Sequence, residues 1–269
     1  PGARWSDGVA VSPADLLLEW AARSGRFDEG QPGDVAPTPR PTASAAAAGA
    51  APATTAAMPP TPTAAPADDA VRFGATSAAV LEASAVPTLD EHGITVVYDH
   101  PVADWQVDLD VDLPAHVVGR LALVGAPTPA ASRAAPSPST SGSAWSDDAW
   151  ARAVATAIVD GDHAALARVS RVWRTGFDAA ALAGDPARAV TTGPYRIDSV
   201  DPAGSVTLVK NAGYVGARPA NRDRIVVRWD LDPLDAVDAL RAGDVDVVAP
   251  VVTPDVTAAV EQVPDVRIA

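Results

Sequence analysis

Asp108, Asp110 and Asp112 are spaced like the opening ligands of a helix-loop-helix calcium site, in which alternate carboxylates converge on one hard cation. The rest of that loop is missing. Leu113 stands where the turn needs glycine, and Gly119 stands where a bidentate glutamate would close the shell. In an extended strand the same spacing puts three carboxylates on one solvated face and Val107, Leu109 and Val111 on the other, and this reading is preferred. The four histidines, His92, His100, His116 and His163, form neither HExxH nor a pair at helical metal spacing, so no metal site is expected. His116 follows Pro114 at a helix start, where capping or packing accounts for it. Asp244 and Asp246 form a DxD, but Gly243 and Asp244 end a helix, so turn and capping roles come before a metal-nucleotide role.

Nucleophilic and cofactor chemistry fare no better. The chain has no cysteine, no G-x-S-x-G, no Walker loop and no G-x-G-x-x-G, so neither catalytic residues nor a cofactor are assigned and the protein is not read as an enzyme. Seven tryptophans and three tyrosines remain, and aromatic side chains often line small-molecule clefts. Trp20 and Trp229 read as core. Trp105, Trp173 and Tyr214 fall at element ends or in loops and are the candidate ligand-binding positions. A net charge of −14 argues against nucleic acid or an anionic membrane surface as a partner, because both need clustered Lys and Arg. No stretch has signal-peptide or transmembrane form. The chain opens on Pro1, and its one methionine, Met58, lies in a low-complexity run, so it reads as an excerpt whose natural N-terminus and any lipid-anchoring cysteine lie upstream.

The elements that would position these residues follow from caps and periodicity. In residues 1–30, Ser12 is an N-cap, Pro13 sits at N1 and Asp15 at N3; Leu16, Leu17, Trp20 and Ala21 share a face, and Gly25 ends the helix. Residues 31–70 and 125–144 change to Ala, Pro, Thr and Ser without a hydrophobic period and read as two disordered insertions. Between them, in residues 71–124, Gly93 to Tyr98 and Trp105 to Leu113 alternate with period two and predict an antiparallel pair joined by Asp99-His100-Pro101, followed by a helix from Leu113. Residues 145–190 predict two amphipathic helices, Asp147 to about Val159 and Asp162 to about Arg171, broken at Asp160-Gly161.

Residues 191–269 predict a hairpin followed by β-α-β-α-β. Tyr195–Asp198 and Val206–Val209 flank the turn Asp201-Pro202-Ala203-Gly204. A strand from Arg224 to Trp229 leads to a helix capped by Asp232 and Pro233, with Leu234, Val237 and Leu240 on one face and Gly243 at its end. Val245, Val247 and Val248 predict a short strand, and Thr253-Pro254 starts a helix to about Glu261. Strands alternating with helices point to a parallel α/β sheet.

Several separated motifs then agree with one family. Trp5-Ser6-Asp7-Gly8 precedes Ser12-Pro13-Ala14-Asp15; Leu113-Pro114-Ala115-His116-Val117, Thr192-Gly193-Pro194-Tyr195, Val206 to Asn211 with Tyr214, and Ala239 to Asp246 follow in order. With these the chain resembles the family 5 extracytoplasmic solute-binding proteins of ABC importers, the oligopeptide-, dipeptide- and nickel-binding group, and its Ala-rich composition resembles actinobacterial lipoproteins of that group. The resemblance implies an α/β, type II periplasmic-binding-protein-like fold. It implies the first lobe only, a mixed sheet with flanking helices, and a missing second lobe. It implies a monomer, anchored to the cell envelope through an N-terminal lipid outside this excerpt, that captures an oligopeptide or similar small solute by lobe closure and works with ABC permease subunits. A non-transporting envelope regulator on the same scaffold is the alternative. Trp5, Ser6, Asp7, Gly8, Gly193, Pro194, Tyr195, Asn211, Gly243 and Asp246 are the structural signature, and the resemblance carries over no ligand contacts.

Overall fold

A capping residue or a left-handed glycine bounds most helices of this chain. The computed structural model describes residues 2–29, 69–74, 81, 84–91, 93–103, 109–124 and 145–267. The sequence-predicted insertions at 31–70 and 125–144 therefore lie outside the described residues, apart from 69–70, as do His92 and Trp105. The chain divides into two compact units, Ser12–Arg174 and Pro1–Val11 with Thr175–Ala269.

The first unit is helical at its centre. Helix α1 (Pro13–Arg23) starts where Ser12 N and Oγ both donate to Asp15 Oδ2, at 2.7 and 3.1 Å, which satisfies a backbone donor at the helix start. It is buried almost all round. Leu17, Leu18, Trp20 and Ala21 are fully enclosed and Leu16 is only half-buried, so the core stripe includes Leu18, which the sequence reading did not place there. A two-stranded ribbon of β1 (Thr88–Leu89) and β2 (Ile94–Thr95) follows, then α2 (Ala115–Leu123), α3 (Asp147–Asp160) and α4 (His163–Thr175). Ser146 caps α3, accepting from Ala149 N at 3.3 Å, and Gly161 ends it at φ 65°, where L side chains are strained. Helix α2 packs on α3, and α1 packs on both. Val117, Val118, Val154, Ile158, Leu166 and Val169 supply the apolar core.

Of the expected pairing of 93–98 with 105–113, residues 105–108 lie outside the described residues, and the described partner of 93–98 is an upstream one. β2 pairs antiparallel with β1, Thr88 opposite Thr95, and Ser84 bridges to Tyr98, so the partner precedes the strand. The reason is local. Asp90 Oδ1 accepts from Gly93 N at 2.9 Å and Asp90 N donates to Gly93 O at 3.1 Å, closing a tight turn between β1 and β2. Residues 109–113 carry no ladder, and α2 begins at Ala115, two residues later than expected.

The second unit holds a three-stranded sheet, β3 (Tyr195–Asp201), β4 (Ser205–Lys210) and β5 (Arg224–Arg228), in that order and antiparallel throughout. Helix α5 (Ala179–Gly184) precedes it, and α6 (Pro233–Ala242) and α7 (Pro254–Glu261) follow. The hairpin and its turn are where the sequence puts them: Gly204 N donates to Asp201 O at 3.0 Å and Ala203 N to Asp201 Oδ1 at 2.9 Å. Asp232 caps α6 through Leu234 N and Asp235 N, and Gly243 ends it at φ 80°. Thr253 caps α7, accepting from Val256 N at 3.3 Å.

The parallel sheet is corrected by this register. No strand forms at 245–248, where Gly243 N and Asp244 N are spent on Leu240 O and Ala239 O to finish α6, and Val247 is 82% exposed. Asp246 lies in that exposed connection. Trp229, read as core, is 49% exposed, and Leu234 is exposed where Val237 and Leu240 turn inward to pack with Val256 and Val263.

Candidate functional site

Each signature motif is built locally, and the folding of 1–11 with 175–269 into one unit joins them. Trp5-Ser6-Asp7-Gly8 is a turn: Gly8 N donates to Trp5 O at 2.9 Å, Gly8 takes φ 94°, and Asp7 Oδ1 accepts from Val9 N at 3.1 Å. Positive φ at the fourth position is why glycine stands there. The turn lifts Ser6, whose Oγ accepts from Thr191 N at 3.2 Å across 185 residues of sequence. Thr191 Oγ1 in turn accepts from Gly193 N at 3.1 Å.

Asn211 completes the chain of contacts from the far end of β4. It is 8% exposed; its Nδ2 donates to Gly193 O at 2.9 Å, its Oδ1 accepts from Gly213 N at 3.0 Å, and its backbone N donates to Pro194 O at 2.9 Å. One amide side chain therefore ties the lead-in of β3 to the loop after β4, using a donor and an acceptor that no other residue type offers at that length. Tyr195 fixes the next part of that loop, its hydroxyl donating to Asn221 Oδ1 at 3.2 Å and accepting from Arg222 N at 3.0 Å. Lys210 pairs with Asp223 at 2.8 Å, which holds that carboxyl below its usual range.

Of the predicted residues, the structure thus joins Ser6, Gly193, Pro194, Tyr195 and Asn211 in one hydrogen-bonded network, with Trp5, Asp7 and Gly8 forming the turn that presents Ser6. Gly243 and Asp246 stand apart from it as helix end and exposed connection. Thr191 and Asn221 were missed; a threonine two residues before a glycine was the available signal for the first, through its hydroxyl turn. Of the three aromatic candidates, Trp173 and Tyr214 belong to different units. Tyr214 is half-buried with its ring folded over Gly216, Trp173 is half-buried and meets Phe73 edge-on at 6.3 Å, and Trp105 lies outside the described residues. Among the described residues no group of three or more His, Asp or Glu is placed to hold a metal ion.

The other unit has its own polar cluster. Asp15, 2% exposed, accepts from Ala115 N through Oδ1 at 2.7 Å while its Oδ2 serves Ser12, so one carboxylate joins the starts of α1 and α2. One turn on, Glu19 is 1% exposed; it pairs with Arg23, which also reaches Asp112 Oδ2 at 3.2 Å, and its Oε2 accepts from Asp112 N at 3.4 Å. Burial, reinforced by the Asp112 charge and opposed by Arg23, pushes the Glu19 carboxyl up to about 7. Asp110 and Asp112 are exposed, as a solvated face requires, although no strand carries them.

What these arrangements share is positioning. The first fixes a hairpin and its loop, and the second fixes one helix start on another. A family model described as bacterial extracellular solute-binding proteins, family 5 Middle, matches residues 1–267. Among solved structures the chain is similar to the periplasmic EDTA-binding protein EppA in an orthorhombic crystal, with a TM-score of 0.52 at 18% identity. That likeness covers 95% of this chain and 31% of the other, so the chain spans about a third of the length of the structure it matches. No curated protein matches the sequence.

Proposed function

We propose a role in solute capture from one premise: the chain belongs to the family 5 bacterial extracellular solute-binding proteins, whose model it matches over residues 1–267. In this reading it contributes one wall of a two-lobed binder that takes up a small solute outside the membrane and works with an ABC permease. The solute is an oligopeptide or a compound of similar size. Lobe closure carries the signal, because a ligand that contacts both lobes favours the closed state by its differential affinity and needs no covalent step. The observation that carries the reading is the family match. It is supported by the network in which Ser6, Thr191, Gly193 and Asn211 brace the hairpin, since a binder of this kind needs rigid walls about a moving hinge.

Anchoring to the envelope through a lipid and a monomeric state belong to the same proposal. No helix among the described residues is long and apolar enough to cross a membrane. The test is calorimetry on the protein expressed from its complete reading frame, titrated with a pool of short peptides and, separately, with EDTA supplied as a metal chelate, EDTA being the ligand in the name of the structural neighbour. Saturable heat with peptides and none with the chelate is the expected result. Binding of the chelate alone would overturn the peptide assignment and keep solute capture. Binding of neither would overturn solute capture and leave the envelope-regulator reading, which the two Ala/Pro-rich insertions in the sequence favour.

A further inference from the structure

Arginines in a chain of net charge −14 should find carboxylates easily, and Arg23, Arg188, Arg196, Arg228 and Arg241 each sit against one. Three in the Ser12–Arg174 unit do not. Among the described residues, no carboxylate or other acceptor meets the side chains of Arg72, Arg168 or Arg174. They gather on α4. Arg72 N donates to Ser170 Oγ at 3.0 Å, Phe73 meets Trp173 edge-on, and a Cβ at Gly74 would lie 4.0 Å from Arg174 Cδ, so residues 72–74 run along the helix from Ser170 to Arg174. Arg168 and Arg174 share a side of α4 with Arg171 between them, about 9 Å apart along the axis.

The carboxylates on this segment and helix are engaged elsewhere. Asp28 accepts from Phe73 N and Gly74 N, Glu29 pairs with His163 and accepts from Val71 N, and Asp162 accepts from Ala165 N at the start of α4. Arg174 is exposed, whereas Arg72 and Arg168 are half-buried and the Nε of each is enclosed without a partner. We propose that Arg72, Arg168 and Arg174 form a docking surface for an extended acidic segment of another protein, a role that does not depend on solute capture.

A guanidinium whose Nε is shut off from water has lost hydration that no protein acceptor replaces. A carboxylate on its remaining nitrogens compensates with charge-assisted bonds in a planar, two-point contact. An extended segment sets alternate side chains on one side about 7 Å apart, a spacing that the flexible stems of Arg168 and Arg174 can meet. The overall negative charge of the chain opposes such a partner only at long range. In about 0.1 M salt the Debye length is about 10 Å, so distant carboxylates are screened and the local arginines decide contact. A densely charged polyphosphate partner would face that repulsion with many more charges, which is why a peptide is favoured.

Fluorescence anisotropy of a labelled peptide with glutamate at three alternate positions, titrated with the full chain in about 0.1 M salt, tests this. Saturable binding is expected, and it should be lost in about 1 M salt, where the Debye length is about 3 Å. Arg72→Gln and Arg168→Gln should each weaken it about tenfold, and exposed Arg174→Gln about two- to fivefold. Arg241→Gln, in the other unit, should leave it unchanged. Arg174→Gln reads the surface even where a half-buried arginine is needed for folding. No binding, or binding that none of the three variants weakens, would overturn the surface. Displacement of the peptide by equimolar inorganic phosphate, or tighter binding to phosphatidylglycerol vesicles than to the peptide, would overturn the assignment to an acidic protein segment.

Discussion

Gly119 sits in the middle of α2, where helix propensity alone favours alanine over glycine by about 1 kcal/mol. A Cβ added there would lie 2.6 Å from Trp150 O, 3.0 Å from Trp150 C and 3.0 Å from Val154 Cγ2, all on α3. Contact of this kind is ordinary at 3.4 Å, so the two helices would have to part by several tenths of an ångström. The obstacle is a helix carbonyl, which cannot rotate away as a side-chain tip could. Overpacking of a close interface costs about 1–3 kcal/mol, and a rigid obstacle argues for the upper end. Offset by the propensity gain, Gly119→Ala should destabilise the protein by about 2 kcal/mol and lower its melting temperature by about 4–8 °C. Urea denaturation followed by circular dichroism reads this directly. Gly184→Ala is the control, because a Cβ at Gly184 meets nothing within 4 Å, and it should be neutral or slightly stabilising. If Gly119→Ala is as stable as the wild type or more so, α2 and α3 do not approach as described, and the account of this core fails.

Two further substitutions test the polar joints. Asn211→Ala removes the donor to Gly193 O and the acceptor of Gly213 N from a site 8% exposed, and should cost about 2–3 kcal/mol, with proteolytic nicking in residues 211–223 appearing before cleavage elsewhere; resistance unchanged from the wild type would refute its role as a tether. Asp15→Asn leaves one acceptor for the two backbone donors of Ala115 and Ser12 and should cost about 1–3 kcal/mol in thermal unfolding, whereas no loss would mean water already serves one of them.

Local chemistry was the legible part of this chain. Caps at Ser12, Asp232 and Thr253, the proline after each, and the glycines that end helices act over a few residues, and α1, α6 and α7 stand where those signals put them. The hairpin of β3 and β4 was equally readable, because Asp201 and Gly204 close it within four residues. Partner choice was not readable. Period two says that a segment has two faces, and it is silent about which neighbour supplies the ladder. Residues 93–98 thus have, through the Asp90 turn, an upstream partner that the sequence reading did not name. Tertiary reach was hidden too. Nothing in the sequence says that Ser6 serves Thr191, or that Asp15 serves Ala115, since each bond spans more than a domain's worth of local signals.

The valines that misled are instructive for the same reason. Val226 and Val227 point to opposite faces of β5, and both are exposed, as are Trp229, Val247, Val251 and Val252. A strand apolar on both faces is the pattern of one covered on both sides. The sequence thus encodes burial that the described residues do not provide, and reading strands alternating with helices as a parallel sheet assigned residues 245–248 a strand where no ladder forms. The motifs that identify the family differ in kind: Ser6, Gly193 and Asn211 satisfy one another's backbone groups, so their spacing is fixed by the hairpin they brace. Such residues specify scaffold geometry whatever the solute, which is why the family is legible from them and the ligand is not.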